Sequence, residues 1–130
     1  KDMIPQFSVA YNYKINYKNI TYGIVWFTIG LFKKVVIADK LAVWANQVFN
    51  NTGNLTMLDA WGGSLAYSLQ LYFDFSGYSE MAIGLGLLFN YNLPLNFNLP
   101  YRATSIIDFW RRWHMTLSAF LKKFSLIFFP

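Results

Sequence analysis

Apolar residues run almost unbroken through two long stretches of the chain. The first, residues 20–38 ("ITYGIVWFTIGLFKKVVIA"), has about the length that a helix needs to cross a bilayer. Lys33 and Lys34 interrupt it, so they either reach a headgroup region or face an aqueous cavity. The amphipathic segment that follows, "DKLAVWANQVF", either continues the helix or turns along the membrane interface.

The second and longest apolar stretch covers residues 58–89 and has a polar interruption, "DFSGYSE", in its middle. Two helices joined by a loop and one long helix with a polar waist both fit this pattern. On a continuous helix, Gln70, Asp74 and Tyr78 recur every four residues and share one face. Because an ionised carboxylate is costly in hydrocarbon, Asp74 and Glu80 indicate either an intramembrane polar site or a loop that reaches the interface.

Small residues and helix breakers define the end of this stretch. Ala82 and Gly86 form a small-xxx-small pair, which permits a close helix approach at that point. In the following "NYNLPLNFNLPY", Asn or Pro stands at nearly every second position, so no helix continues there. The Leu, Phe and Tyr residues of this loop predict that residues 90–104 pack in protein or dip into the membrane.

A last helix is predicted to begin at Ser105, because Asp108 follows three residues later as in a capping box. It is expected to continue unbroken through "IIDFWRRWHMTLSAFLKK". On such a helix Trp110 lies one turn from His114, and Arg111 lies beside it. Asp108 is spaced to pair with either arginine of "WRRW". We therefore expect an all-α integral membrane protein, a partial bundle of three to four apolar helices with one packed Asn/Pro-rich loop.

Composition supports a membrane protein and excludes several classes of site. Hydrophobic residues make up 55% of the chain and charged residues only 13%, about half the share of a soluble domain. The net charge of +5 is scattered at the ends of apolar runs, so we expect no nucleic-acid partner. The chain has no cysteine and one histidine, so we expect no metal site of the usual zinc type.

His114 is the one histidine, and it lies within "FWRRWH". A neutral imidazole can remove a hydroxyl proton, which acyl transfer to an alcohol requires. The alternative is an interfacial helix with Arg and Trp at headgroup depth, in which the histidine has no chemical role. The residue chemistry alone favours this second interpretation.

Two long segments of unusual composition favour a chemical role for His114. "QLYFDFSGYSEMAIGLGLLF" and "NFNLPYRATSIIDFWRRWHMTLSAFL" resemble the central region of the membrane-bound O-acyltransferase family, in its alginate O-acetyltransferase-like branch. "KDMIPQF" and "GLFKKVVIADKLA" resemble the same branch, so the similarity reaches about residue 121. The resemblance implies a helical membrane enzyme that moves an acyl group, typically acetyl, onto a hydroxyl of an exported polysaccharide.

The resemblance also assigns residues and reactants. His114 takes the position of the histidine in the family's "RWH" motif and is the expected catalytic residue. The following residues are expected to support it or to line the substrate path: Asp74, Ser76, Tyr78, Asn96, Asp108, Trp110 and Arg111. The acyl donor is expected to be a co-substrate, acyl-CoA or an acyl carrier, with no bound cofactor. The expected partners are the polysaccharide acceptor, membrane lipid and periplasmic or extracellular acetylation proteins, at the bacterial inner membrane.

Departures from the family pattern limit this expectation. Family members carry a second histidine on a later apolar helix, and residues 122–130 do not match the segment that normally follows "LS". We therefore expect residues 1–130 to form one partial domain, cut at both ends and inactive alone. An alternative is a non-catalytic transport or export subunit in which Asp74 and His114 line a polar path. A third is an interfacial scaffold without pore or chemistry.

Overall fold

Helices account for most of the chain, and the part that the structure describes contains no strand. The computed structural model describes residues 4–8, 14–51, 53 and 55–128. The helices are α1 (Ile4–Phe7), α2 (Tyr17–Phe32), a π-helical segment (Lys33–Ala38), α3 (Asp39–Asn50), α4 (Met57–Leu88), a 3₁₀ turn (Pro100–Arg102), α5 (Ile106–Arg112) and α6 (Met115–Phe128). The predicted all-α class is confirmed.

The first long rod consists of α2, the π-helical segment and α3 without interruption. Asn16 caps its start, because the side-chain oxygen accepts from the N–H groups of Lys18 and Asn19 at 3.1 and 3.3 Å. The amphipathic segment after Ala38 thus continues the helix. Within the described residues, Tyr17–Asn50 is the one helix that is long and apolar enough to cross a membrane. The expected number of apolar helices, three to four, stays a prediction.

The second rod, α4, runs straight through "DFSGYSE" as a single helix, so the two-helix alternative is wrong. Its start is a capping box: the Thr56 hydroxyl accepts from the Asp59 N–H at 3.2 Å, and the Asp59 carboxylate accepts from the Thr56 N–H at 3.1 Å. Its end is set by Asn90, whose φ of 61° is left-handed. The Tyr91 N–H then reaches back to the Gly86 carbonyl at 2.8 Å, which completes a Schellman motif.

The two rods run antiparallel and touch through glycines. A Cβ built on Gly30 would lie 2.5 Å from the Gly77 carbonyl oxygen, and one built on Gly77 would lie 2.7 Å from the Gly30 carbonyl oxygen. Gly23 and Gly84 repeat this arrangement, with distances of 2.8 and 2.6 Å. Only a residue without Cβ lets the backbones approach this closely, so these four glycines form the seam between α2 and α4.

The π-helical segment keeps the rest of the first rod in register with α4. Gly23 and Gly30 lie seven residues apart, and so do the buried Ala38 and Ala45, whereas Gly30 and Ala38 lie eight apart. A π turn accommodates one extra residue in a helix. Since α3 packs on α4, this extra residue keeps the small residues of both halves on the contact face.

The loop after α4 folds back onto that helix, as expected from its apolar content. Pro100 is fully buried, and Phe97 packs edge-on against aromatic side chains of α4. The close approach that the pair Ala82 and Gly86 permits is made at Gly86 by the loop. A Cβ on Gly86 would meet the Tyr91 carbonyl oxygen at 2.9 Å, so Gly86 makes room for the loop and not for another helix.

The predicted unbroken last helix is wrong. α5 ends at Arg112 and α6 begins at Met115, with Trp113 and His114 between them. The loop causes this break through competing hydrogen bonds. The Asn98 N–H donates to the last carbonyl of α5 at 3.0 Å, and the Asn96 carbonyl accepts from the first N–H of α6 at 2.8 Å. These bonds replace the i→i−4 pattern of a continuous helix.

Candidate functional site

His114 lies in the break between α5 and α6 with a left-handed backbone, φ 44°. Histidine is among the few residues other than glycine that adopt this conformation with some frequency. Its half-buried ring stands edge-on to Phe75 of α4, with ring centroids 4.8 Å apart and planes at 85°. Because the helix breaks here, the helix face predicted to carry His114 with Trp110 and Arg111 does not form.

A chain of polar side chains reaches the imidazole from the loop and from α4. Thr116 Oγ1 lies 3.4 Å from His114 Nδ1, and the Thr116 hydroxyl donates to Asn96 Oδ1. The Asn96 amide nitrogen lies 3.4 Å from the hydroxyl oxygen of Ser79, which is buried. The structure therefore brings the predicted Asn96 to His114. Sequence reasoning missed Thr116 and Ser79, although "HMT" places a hydroxyl two residues after the histidine.

An aromatic cluster holds the break in place. Trp113 stacks on Phe109 of α5 with centroids 5.5 Å apart and planes at 19°, and it meets Phe97 edge-on at 5.1 Å. Phe97 in turn contacts Phe75 at 5.0 Å, the same ring that touches His114. Each such aromatic pair stabilises the fold by about 0.5–1.5 kcal/mol beyond the burial of apolar area. These contacts therefore hold the segment that carries His114 against α4.

The carboxylates of α4 pair with the two lysines of the π-helical segment. Lys33 binds Glu80, and Lys34 binds Asp74. The expected surroundings of the lysines, a headgroup region or an aqueous cavity, stay a prediction. Because α4 continues through Asp74 and Glu80, the loop interpretation of these two residues is wrong. Phe75, the residue after Asp74, is an α4 side chain that contacts the imidazole.

The remaining predicted residues of α4 differ in exposure. Ser76 is 1% exposed, and among the described residues its hydroxyl has no hydrogen-bond partner. Tyr78 is 62% exposed and lies on the outside of the helix pair. Their expected roles in a substrate path stay predictions.

α5 begins with the cap predicted from the sequence, and its ion pair joins Asp108 to Arg112. The Ser105 hydroxyl accepts from the Asp108 N–H at 3.1 Å, which confirms the predicted cap. The Asp108 carboxylate accepts from Arg112 Nε at 2.9 Å, whereas Arg111 is exposed. Trp110 is 57% exposed, and its carbonyl accepts from a hydroxyl of α6. The expected support of His114 by Arg111 and Asp108 stays a prediction.

The amino-acid sequence of the chain is similar to those of known acyltransferases. Residues 1–124 match the sequence model of the membrane-bound O-acyltransferase family. The chain is 57% identical over 126 residues to the peptidoglycan O-acetyltransferase of Helicobacter pylori, which covers 97% of the chain and 24% of that protein. It is 48% identical over 128 residues to the probable alginate O-acetylase AlgI of Pseudomonas aeruginosa. This match covers 98% of the chain and 24% of that protein.

A more distant similarity concerns a shorter part of the chain. The teichoic acid D-alanyltransferase of Bacillus subtilis is 43% identical over 58 residues, 45% of the chain and 15% of that protein. The chain spans about a quarter of the length of the first two relatives.

Proposed function

Since the chain belongs to the membrane-bound O-acyltransferase family, we propose that it forms the central part of an enzyme that transfers an acetyl group to a polysaccharide hydroxyl. The similarity to enzymes named for peptidoglycan and alginate supports a polysaccharide as the acceptor. The relatives' names do not favour the alternative of a non-catalytic transport subunit. The acceptor lies outside the cytoplasm, and the enzyme resides in the bacterial inner membrane with periplasmic or extracellular acetylation partners.

The observation that carries the proposal is the placement of His114. Two hydrogen bonds from the loop interrupt the helix at this residue, and an edge-on phenyl ring fixes its imidazole. A left-handed residue without a role at such a break would be replaced at lower cost by glycine. The strain at His114 therefore supports a functional role for the side chain.

The imidazole acts as a general base on the acceptor hydroxyl. It removes the hydroxyl proton while the oxygen attacks the carbonyl carbon of an acyl thioester, either acyl-CoA or an acyl carrier. The C–S bond then breaks, and the imidazolium returns the proton to the departing thiolate. Atoms and charge thus balance among the imidazole, the acceptor hydroxyl and the acyl thioester.

The test replaces His114 by asparagine in the full-length protein that contains this chain. Asparagine tolerates the left-handed backbone, so the break is expected to persist while the base is lost. We expect acetylation of the polymer to fall by about 10²-fold or more, with unchanged membrane insertion. The matched control is Leu99→Asn, which puts the same residue at an exposed left-handed position with φ 46°. Acetylation by His114→Asn at the level of Leu99→Asn would refute the catalytic role.

A further inference from the structure

We propose that Asn96 is a positioning residue that, through Thr116, holds the proton of neutral His114 on Nδ1 and leaves Nε2 as the basic nitrogen. The tautomer follows from hydrogen bonds within the chain. Its catalytic meaning rests on the function proposed above.

The backbone of Asn96 first fixes where the histidine stands. Its carbonyl accepts from the first N–H of α6 at 2.8 Å, directly after His114. The bond from Asn98 to the end of α5 closes the other side of the break at 3.0 Å. Asn96 is therefore held at the level of the imidazole by main-chain contacts that do not depend on its side chain.

The side chain of Asn96 then decides the direction of the hydrogen bonds. A threonine hydroxyl has one proton, and Thr116 donates it to Asn96 Oδ1, which can only accept. Toward His114 Nδ1, at 3.4 Å, the Thr116 oxygen can then only accept. A neutral imidazole has one N–H, so that proton lies on Nδ1 and the lone pair lies on Nε2.

At its other end the Asn96 amide contacts a hydroxyl, which can accept from the amide nitrogen or donate to the amide oxygen and so fits either orientation. Its nitrogen lies 3.4 Å from the hydroxyl oxygen of Ser79, which is 6% exposed. With the amide reversed, its nitrogen would donate to Thr116, the hydroxyl would donate to the imidazole, and the tautomer would be the opposite one. The two orientations thus predict different protonated nitrogens, which a measurement can distinguish.

The imidazole has little freedom to escape this arrangement. Phe75 contacts its ring edge-on at 4.8 Å, and the left-handed backbone fixes the direction from which the side chain leaves the chain. Histidine in water prefers the proton on Nε2. The contacts described here reverse that preference, and a base that acts through Nε2 needs this reversal.

The first experiment is ¹⁵N NMR of the full-length protein that contains this chain, with labelled histidine in lipid nanodiscs, recorded at a pH where the ring is neutral. The ring nitrogens of His114 are identified as the signals that disappear in His114→Asn. We expect Nδ1 protonated in the wild type. We expect a shift toward protonated Nε2 in Asn96→Ala and Thr116→Val, and the wild-type pattern in Thr116→Ser. Asn98→Ala is the matched control, because its side chain is exposed and its backbone bond is retained.

A wild-type spectrum with protonated Nε2 would overturn the proposal, as would an Asn96→Ala spectrum with unchanged tautomer. If Asn96→Ala fails to fold, as judged by tryptophan fluorescence, the nearly isosteric Thr116→Val decides the question instead.

The second experiment measures kinetics of the full-length enzyme. Asn96→Ala is expected to lower kcat with KM unchanged, by about 10- to 100-fold if the effect resembles that of removing the partners that orient metal-binding histidines. Thr116→Ser is expected to retain activity. A rise in KM alone would contradict a positioning role. If the NMR result holds but His114→Asn remains active, the catalytic role proposed for His114 fails while the tautomer assignment stands.

Discussion

Replacing Gly77 by alanine is expected to destabilise the helix pair, whereas the same replacement at Gly62 is expected to stabilise α4. Both glycines lie within one helix, so each variant gains the same helix propensity. They differ only in what the new Cβ meets. At Gly62 it meets nothing within 4 Å, and at Gly77 it meets the carbonyl oxygen of Gly30 at 2.7 Å.

The magnitude follows from these distances. Alanine in place of a helical glycine stabilises by about 0.5–1 kcal/mol. Ordinary van der Waals contact begins at 3.4 Å, so a Cβ at Gly77 forces the rods apart by up to about 0.7 Å, the difference between 3.4 and 2.7 Å. Overpacking of this kind costs about 1–3 kcal/mol. The free energy of unfolding of Gly77→Ala is therefore expected to lie about 1–3 kcal/mol below that of Gly62→Ala.

The assay is reversible unfolding of the wild type and both variants in mixed detergent micelles, followed by tryptophan fluorescence and circular dichroism. Comparison with Gly62→Ala removes the propensity contribution and leaves the contact between α2 and α4. Equal stability of the two variants would mean that the rods do not touch at Gly30 and Gly77, and the glycine seam would then be wrong.

Two further predictions concern the ion pairs and a helix cap. Lys33→Met is expected to cost about 3 kcal/mol, because it leaves Glu80 unpaired with side-chain exposure of only 16%. Lys34→Met is expected to cost at most about 1 kcal/mol, because Asp74 is 49% exposed and regains water; equal losses in denaturant unfolding would contradict this ranking. Thr56→Ala is expected to cost about 1 kcal/mol by loss of the cap of α4, and faster hydrogen exchange confined to its first turn would confirm the local cause.

Local patterns predicted the helix boundaries that depend on neighbours in sequence. The cap at Ser105 and the Asn/Pro-rich end of α4 lie where the sequence placed them, because a cap bonds N–H groups two or three residues away. Packing partners were harder to predict. The small pair at Ala82 and Gly86 had a helix-packing spacing, yet the close approach uses Gly77 and Gly84.

The sequence by itself determined the all-α class, the low charge suited to a membrane, and the presence of one histidine in an acyltransferase-like motif. Only the tertiary structure decided the break at His114, the contact with Phe75, and the pairing of Lys33 and Lys34 with α4. The physical reason is the range of the interactions. A helix favoured by its own residues is interrupted by hydrogen bonds from Asn96 and Asn98, whose proximity depends on the loop folding back across α4.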